Sequence, residues 1–470
     1  MTTSLFDAMQ NGTYTTNGMP AFKSTGSSLL DFFSKAGDAR GVDISDIFKK
    51  ALAENQEIAV RTLLWTRDSR GGAGERKTFR DLLGILARDS KFEHMHGVVK
   101  LIPEVGRWDD LFVLFGTQHQ NLAIQAIGEG IRAQNGLCAK WMPRQGENAT
   151  ILRNALNYTP KQWRKTLVNL TKVVETQMCN KQWSDINYQH VPSRAIGKYA
   201  KAFGRNDSVR FTAFKQKVET GEAKINAAGV FPYDVVHLLQ RDQKLAEVQW
   251  KALPDYVQGS DERAICVVDV SGSMDTPVGG YGSGNKVSCM DVAISLGIYT
   301  SERLEGIFKN TFITFTDNPK IIKFKEDDSL SSRVAITKRD VGYSTNLEGV
   351  FDAVLNAAVQ VKLPESQMPT KIVMISDMQF NAQVKGRGLS AVPMIRQKYE
   401  AAGYKMPQLV FWNVGAAKYG NSPTTIGENG VAMVSGFSPA ILTSILTGKT
   451  DAIELMLDAV GKDRYNYLKK

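Results

Sequence analysis

Nowhere in its 470 residues does the chain hold an apolar run of 18 or more, the length a helix needs to cross a bilayer. Its opening residues, 1–22, are polar and rich in Gly, Thr and Asn. They lack the basic-then-apolar pattern of a secretory signal and read as a flexible lead-in over 1–24. Cysteine is scarce. Cys138, Cys179, Cys266 and Cys289 are the only four, and none forms a CxxC pair, so buried free thiols in a reducing, cytoplasmic setting are expected. Histidine numbers five, all at or before His237, which leaves the C-terminal half without the usual general base. An apolar share of 43% with 23% charged residues is ordinary for a globular protein. At this length two domains are expected.

The net charge is +10 and unevenly placed. Residues 1–259 carry 35 Lys/Arg against 26 Asp/Glu, whereas 260–470 carry 23 against 22. Within 151–205 ten basic residues face only Glu175 and Asp185. Such a local excess suits a polyanion, although a solvated basic surface explains it as well.

Residues 25–258 read as an all-α array. Apolar residues recur at helical spacing over 29–33, 44–64, 79–88, 122–134, 160–174 and 195–203, with turn signals between them at Gly71-Gly72, Gly106, Asn135-Gly136 and Thr159-Pro160. No fixed repeat period emerges. The pattern then changes over 255–263. Buried-strand runs at 264–268, 311–315, 371–375 and 408–414 alternate with helical patterns at 287–304, 347–361 and 392–402. That alternation predicts a doubly wound α/β domain over 260–470. Two short helical patterns, 439–446 and 452–460, close the chain.

The first strand runs into Asp269-Val270-Ser271-Gly272-Ser273. Ligands of open α/β sheets bind beyond the carboxyl ends of strands. Alternate residues in that turn can aim three oxygens at one point. Thr345 in 342–346 and Asp377 after the 372–375 strand add two more oxygens from separate loops. Carboxylates and hydroxyls are hard ligands, suited to Mg²⁺ or another divalent cation such as Mn²⁺ or Ca²⁺. Helix capping alone would explain the serines but not the placing of Thr345 and Asp377. The turn also lacks the Gly-x-Ser-x-Gly of a nucleophile elbow. A binding site is therefore expected, not a catalytic one. Tyr281 and the glycine-rich 279–284 are candidates for a wall beside it.

In the helical half the glycine-rich segment 67–77 invites a phosphate-loop reading. It lacks the Gly-Lys-Ser/Thr ending and a preceding strand. Gly106-Arg107-Trp108-Asp109-Asp110-Leu111 reads as a packing anchor followed by a helix start. Basic and aromatic residues interleave at Trp141/Arg144, Trp163/Arg164/Lys165, Lys181/Trp183 and Arg194/Lys198/Tyr199/Lys201/Arg205. Cations of this kind contact phosphates and exposed rings stack bases. The tryptophans equally suit a core.

The Asp-x-Ser-x-Ser, Thr, Asp set resembles the metal-ion-dependent adhesion site (MIDAS) of von Willebrand A domains. Together with the Gly-Arg-Trp-Asp-Asp-Leu segment it resembles the Ro autoantigen family, in which a TROVE module of HEAT-like helices is joined to such a domain. Arg-Gly-Gly-Ala-Gly-Glu-Arg-Lys at 70–77, Lys140-Trp141-Met142-Pro143, Val191-Pro192-Ser193 and Lys224-Ile225-Asn226-Ala227 are similar to the related DUF2828 family of bacteria, phages and eukaryotes. The resemblance implies a helical ring or arc followed by the α/β domain. It also implies a metal held at Asp269, Ser271, Ser273, Thr345 and Asp377, with an open position for an acidic protein or an anion. RNA, as small structured molecules or single-stranded ends, is the implied partner of the helical half. The candidate contacts there are Arg70, Arg76, Lys77, Lys140, Arg144, Arg164, Lys165, Arg194, Lys198, Lys201 and Arg205. The expectation is a non-enzymatic ribonucleoprotein component. The alternative is a metal-dependent interaction scaffold with no RNA role.

Overall fold

Polar caps divide the first half into helices. The computed structural model describes the chain except residues 1–10, 16–19, 172, 226, 228, 279–285, 317–318, 340–345, 380–390, 416–421, 423–429, 450 and 470. Ser27 caps α1 (Ser28–Ala36), accepting from the Leu30 amide. Its own hydroxyl and the Ser28 amide reach Glu54, at the end of α2 (Ser45–Glu54). The helical stretch expected over 44–64 is broken at Asn55, whose backbone is extended. The Asn55 side chain starts α3 (Gln56–Arg67) by accepting from the Ile58 amide. A residue that ends one helix and caps the next leaves the apolar spacing almost unbroken, so periodicity alone does not show the break. There follow α4 (Arg76–Leu86), α5 (Met95–Val105), α6 (Gln120–Arg132), α7 (Gly136–Trp141), α8 (Glu147–Ala155), α9 (Pro160–Leu170), α10 (Val174–Cys179), α11 (Ser193–Asn206), α12 (Ser208–Glu219), α13 (Pro232–Leu238) and α14 (Gln243–Lys251).

The array starts and ends against itself. The Tyr256 hydroxyl, just past α14, donates to the Arg70 carbonyl at 3.2 Å in the α3–α4 loop. The Phe231 ring lies so close to Gly74, a left-handed position at φ +79°, that a side chain there would overlap it. Ahead of the array the lead-in was expected to be loose. Its described part is instead a hairpin of β1 (Gly12–Tyr14) and β2 (Pro20–Phe22), and Phe22 bridges to Ser422. The backbone pairing supplies order that composition does not announce.

The second half is a mixed sheet in the order β5-β4-β3-β6-β7-β8. Its strands are β3 (Ala264–Asp269), β4 (Thr311–Phe315), β5 (Ile321–Lys323), β6 (Lys371–Ser376), β7 (Gln408–Asn413) and β8 (Val431–Ser435). All pairs are parallel except the edge pair β4–β5. The helices between them are α15 (Cys289–Arg303), α16 (Leu330–Lys338), α17 (Leu347–Val361) and α18 (Ala391–Ala401), and α19 (Leu442–Ile445) and α20 (Ala452–Val460) follow. Alternate strand residues Ile265, Val267, Met374 and Phe411 form a core with α17 and α18. The other face, including Cys266, Val268, Ile375, Trp412 and Val434, joins one hydrophobic core that continues into the helical half. There α1 packs on β8, α13 on α15, and α20 on both α3 and β8.

Candidate functional site

Strand β3 delivers Asp269, fully buried, at the carboxyl edge of the sheet. The chain then turns through a short 3₁₀ helix, Gly272–Asp275. The Ser271 amide donates to Asp269 Oδ1 at 2.9 Å, and the Ser271 and Ser273 hydroxyls lie 3.1 Å apart. Next door β6 ends in Ser376, whose hydroxyl donates to Asp269 Oδ2. Beyond it Asp377, 7% exposed, accepts from the Gln379 amide at 3.1 Å and from the Ser273 hydroxyl. Met378 takes the left-handed conformation, φ +62°, and its amide closes the turn on Ser376 Oγ at 3.1 Å. Gly415, past β7, lies against Asp377 so closely that a Cβ would come within 2.8 Å of the Asp377 Cβ.

The sequence-expected Asp269, Ser271, Ser273 and Asp377 are thus brought together. Thr345 lies outside the described residues, as do Tyr281 and 279–284. Ser376 was not anticipated. It fixes one oxygen of Asp269, and no local motif marks it, because the contact arises from β3–β6 pairing across 107 positions.

Burial and the adjacent Asp377 carboxylate push the Asp269 carboxyl up to about 7. Burial also raises Asp377. Among the described residues no Lys or Arg is ion-paired with either. Two buried carboxylates beside two hydroxyls, with no countercharge among the described residues, fit a divalent cation of hard character. Asp269, Asp377, Ser271 and Ser273 would hold it. Among the described residues no three His, Cys, Asp or Glu side chains converge on a point. Among the described residues, a cation here would meet two carboxylates and two hydroxyls.

The basic candidates are placed differently. Ile196 and Phe203 bury one side of α11. On the other, Arg194, Lys198, Lys201 and Arg205 are exposed at spacings of four, three and four, which is one face of a helix. Arg194 is held by both oxygens of Asp234, and Lys198 lies over the Tyr199 ring at 5.0 Å. On α9, Arg164 and Lys165 are exposed beside a fully buried Trp163, whose indole donates to the Pro143 carbonyl at 2.9 Å. The stacking role left open for Trp163 is thereby replaced by core packing.

Trp141 is half-buried, with the Arg107 guanidinium 3.8 Å from the ring centroid and Lys140 at 5.7 Å. Burial, then the charges of Arg107 and Arg80, lower the Arg76 pKa, so Arg76 joins that cluster. Lys77 is paired with Asp81, and Arg144 and Arg70 are exposed, Arg70 on the loop where the array meets itself. The structure therefore places most of the candidates in three neighbourhoods, α11, α9 and the Arg76–Arg107–Trp141–Lys140 cluster, and leaves Arg70, Lys77 and Arg144 outside them.

Two family models match this chain. Domain of unknown function DUF2828 covers residues 117–262 and domain of unknown function DUF7788 covers residues 263–466. The uncharacterised protein L728 of Acanthamoeba polyphaga mimivirus is 28% identical over 503 residues, spanning 94% of this chain and 86% of the relative. Among solved structures, the crystal structure of the Deinococcus radiodurans RO (RSR) protein matches with a TM-score of 0.50 at 13% identity. That match covers 92% of this chain and 99% of that one. At such low identity the likeness is one of fold. No helix among the described residues is long and apolar enough to cross a membrane.

Proposed function

We propose, from the premise that the chain has a Ro-like fold and carries a DUF2828 segment, that it is a non-enzymatic RNA-binding protein of the cytoplasm. The helical half takes the RNA, as structured elements or single-stranded ends. The α/β half holds Mg²⁺ or a similar cation, whose open position receives a carboxylate or another anion. The observation that carries the RNA reading is the α11 face. Four cations, Arg194, Lys198, Lys201 and Arg205, run along one exposed side of a single helix. At 1.5 Å per residue they extend over about 16 Å, enough for several successive phosphates.

Binding through phosphates releases counterions and weakens as salt rises, with a log–log slope near 0.7 per phosphate contact for single strands. Replacing Lys198, Lys201 and Arg205 by Ala should lower RNA affinity and flatten that slope by about 2. Fluorescence anisotropy with a labelled single-stranded RNA at stepped salt measures both. A folded triple variant with the wild-type slope would overturn the assignment. The scaffold reading keeps the metal centre and dispenses with RNA; the pairing of Arg194 with both oxygens of Asp234, which takes up one of the four cations, favours it. It predicts that a chelator abolishes partner capture while the wild-type chain shows no salt-sensitive RNA shift. A hydrolysis screen against nucleotides and RNA tests the absence of catalysis.

A further inference from the structure

A groove of about 960 Å³ runs between two blocks of the helical array. One wall is α7 with the end of α9. Gly136 starts α7 so close to α9 that a Cβ there would come within 3.0 Å of the Leu170 carbonyl oxygen. The other wall is α10 with the loop that leads into α11, tied together where the Gln177 side chain donates to the Asp185 carbonyl at 3.0 Å. On the first wall Leu137 and Val168 stand 62% and 53% exposed, apolar surface of the kind that marks a binding groove. Thr171, also in the lining, is 6% exposed, and its hydroxyl has no hydrogen-bond partner among the described residues. A buried hydroxyl without a partner is costly unless something entering the groove answers it.

The polar groups of the groove are of both kinds. Asn135 and Asn187 accept from backbone amides through Oδ1, which leaves their NH₂ groups to donate. Glu175 accepts from the Tyr199 hydroxyl at 3.2 Å on one oxygen, which leaves the other to accept. Cations border the groove from three helices. Lys140 of α7 lines it. Lys165 precedes Val168 and Asn169 by three and four residues and so shares their face of α9. Lys198 of α11 lies over the Tyr199 ring at 5.0 Å, and Tyr199 is the residue bonded to Glu175. A smaller hollow of about 340 Å³, lined by Tyr158, Gln162 and Lys165, adjoins the groove at Asn169. One cation from each of the three basic neighbourhoods thus borders a single trough. Its lining also holds two carboxylates, Glu175 and Asp185. These would repel the side chains of an acidic peptide lying in the groove. They suit the N–H groups of a neutral base, whose charge stays on the phosphates outside.

We propose that this groove receives unstacked bases of single-stranded RNA, with the phosphates on Lys140, Lys165 and Lys198. Leu137 and Val168 meet the base faces, while Asn135, Asn187 and Glu175 meet the base edges. The proposal rests on the RNA-binding reading. It adds a path from α11 across to α9 and a preference for unpaired strands, because a duplex hides the faces and edges that the groove would contact.

Fluorescence anisotropy of the full-length chain with a short labelled single-stranded RNA, and with an RNA duplex of equal length, tests this. Wild type should favour the single strand. The double variant Leu137→Ala/Val168→Ala removes exposed apolar surface and no charge. It should bind the single strand about fivefold more weakly, the lower end of what one stacked base contributes, with the wild-type salt slope. A thiouridine in the single strand should crosslink under near-ultraviolet light to peptides of α7, α9 or α10 in wild type, a readout that needs no variant. Wild-type affinity in the double variant, equal affinity for the duplex, or crosslinks confined to other segments would each overturn the groove and leave the α11 reading standing. Tighter binding of polyglutamate than of the single strand, lost in the double variant, would assign the groove to an acidic peptide instead. If wild type binds no single-stranded RNA, the RNA-binding reading falls and the proposal with it.

Discussion

Trp163 and Trp141 stand in similar basic surroundings and meet opposite environments. Trp163 is fully enclosed, with its indole nitrogen satisfied by a backbone carbonyl. Trp141 is half-buried, with Arg107 on its face. Trp163→Ala should therefore cost about 3–5 kcal/mol of stability, the usual range for a buried aromatic, as read from urea unfolding. The folded fraction should keep wild-type RNA affinity. Lost affinity at full folding would return Trp163 to the binding surface. The same contrast shows what a sequence discloses at this scale. Asp269, Ser271 and Ser273 are legible because five consecutive residues place them. Ser376 is not, since it meets the centre only through strand pairing.

Helix α15 shows how one carboxylate serves several elements. Asp291 lies in its first turn and reaches back to cap the helix at Ser288. His237 of α13 lies 2.9 Å from it and Lys338 of α16 lies 3.2 Å away. Burial alone would raise the Asp291 carboxyl. The hydrogen bond from His237 and the charge of Lys338 outweigh burial and hold it well below the usual carboxylate range. A folded pKa below the unfolded value, near 3.9, means stability that is present above that value and lost as pH falls toward the folded one. Asp291→Asn should therefore be less stable than wild type at pH 7, with the gap closing below about pH 4. Urea unfolding at several pH values would show it, and a gap independent of pH would refute the linkage. Strand and helix patterns at this scale were mostly readable: the expected 311–315 and 347–361 coincide with β4 and α17. The edge strand β5 escaped because it has three residues and an exposed pattern. Strand β8 was overlooked although Val431-Ala432-Met433-Val434 is an apolar run of the kind that marks a buried strand.

At the scale of the whole molecule, two regions that differ in composition share one interior. The face of the sheet bearing Cys266, Val268, Ile375, Trp412 and Val434 belongs to the same core as Phe33, Leu64 and Trp65 of the helical half. The C-terminal turns fasten the arrangement. Tyr465 donates to the buried Asp68 at 2.9 Å, Arg464 pairs with the same carboxylate at 2.6 Å, and Tyr467 packs beside Phe92. Neither half can be withdrawn without exposing apolar surface, which is stabilising only while buried, at about 25 cal/mol per Å². Calorimetry of the intact chain should therefore show a single cooperative transition. A fragment of residues 260–470 should expose that sheet face, bind an apolar dye and lack a sharp transition of its own. Two well-separated transitions in the intact chain, or a fragment that melts cooperatively, would mean that the shared core does not couple the halves. The proposed metal and RNA sites would then sit on independently folding units.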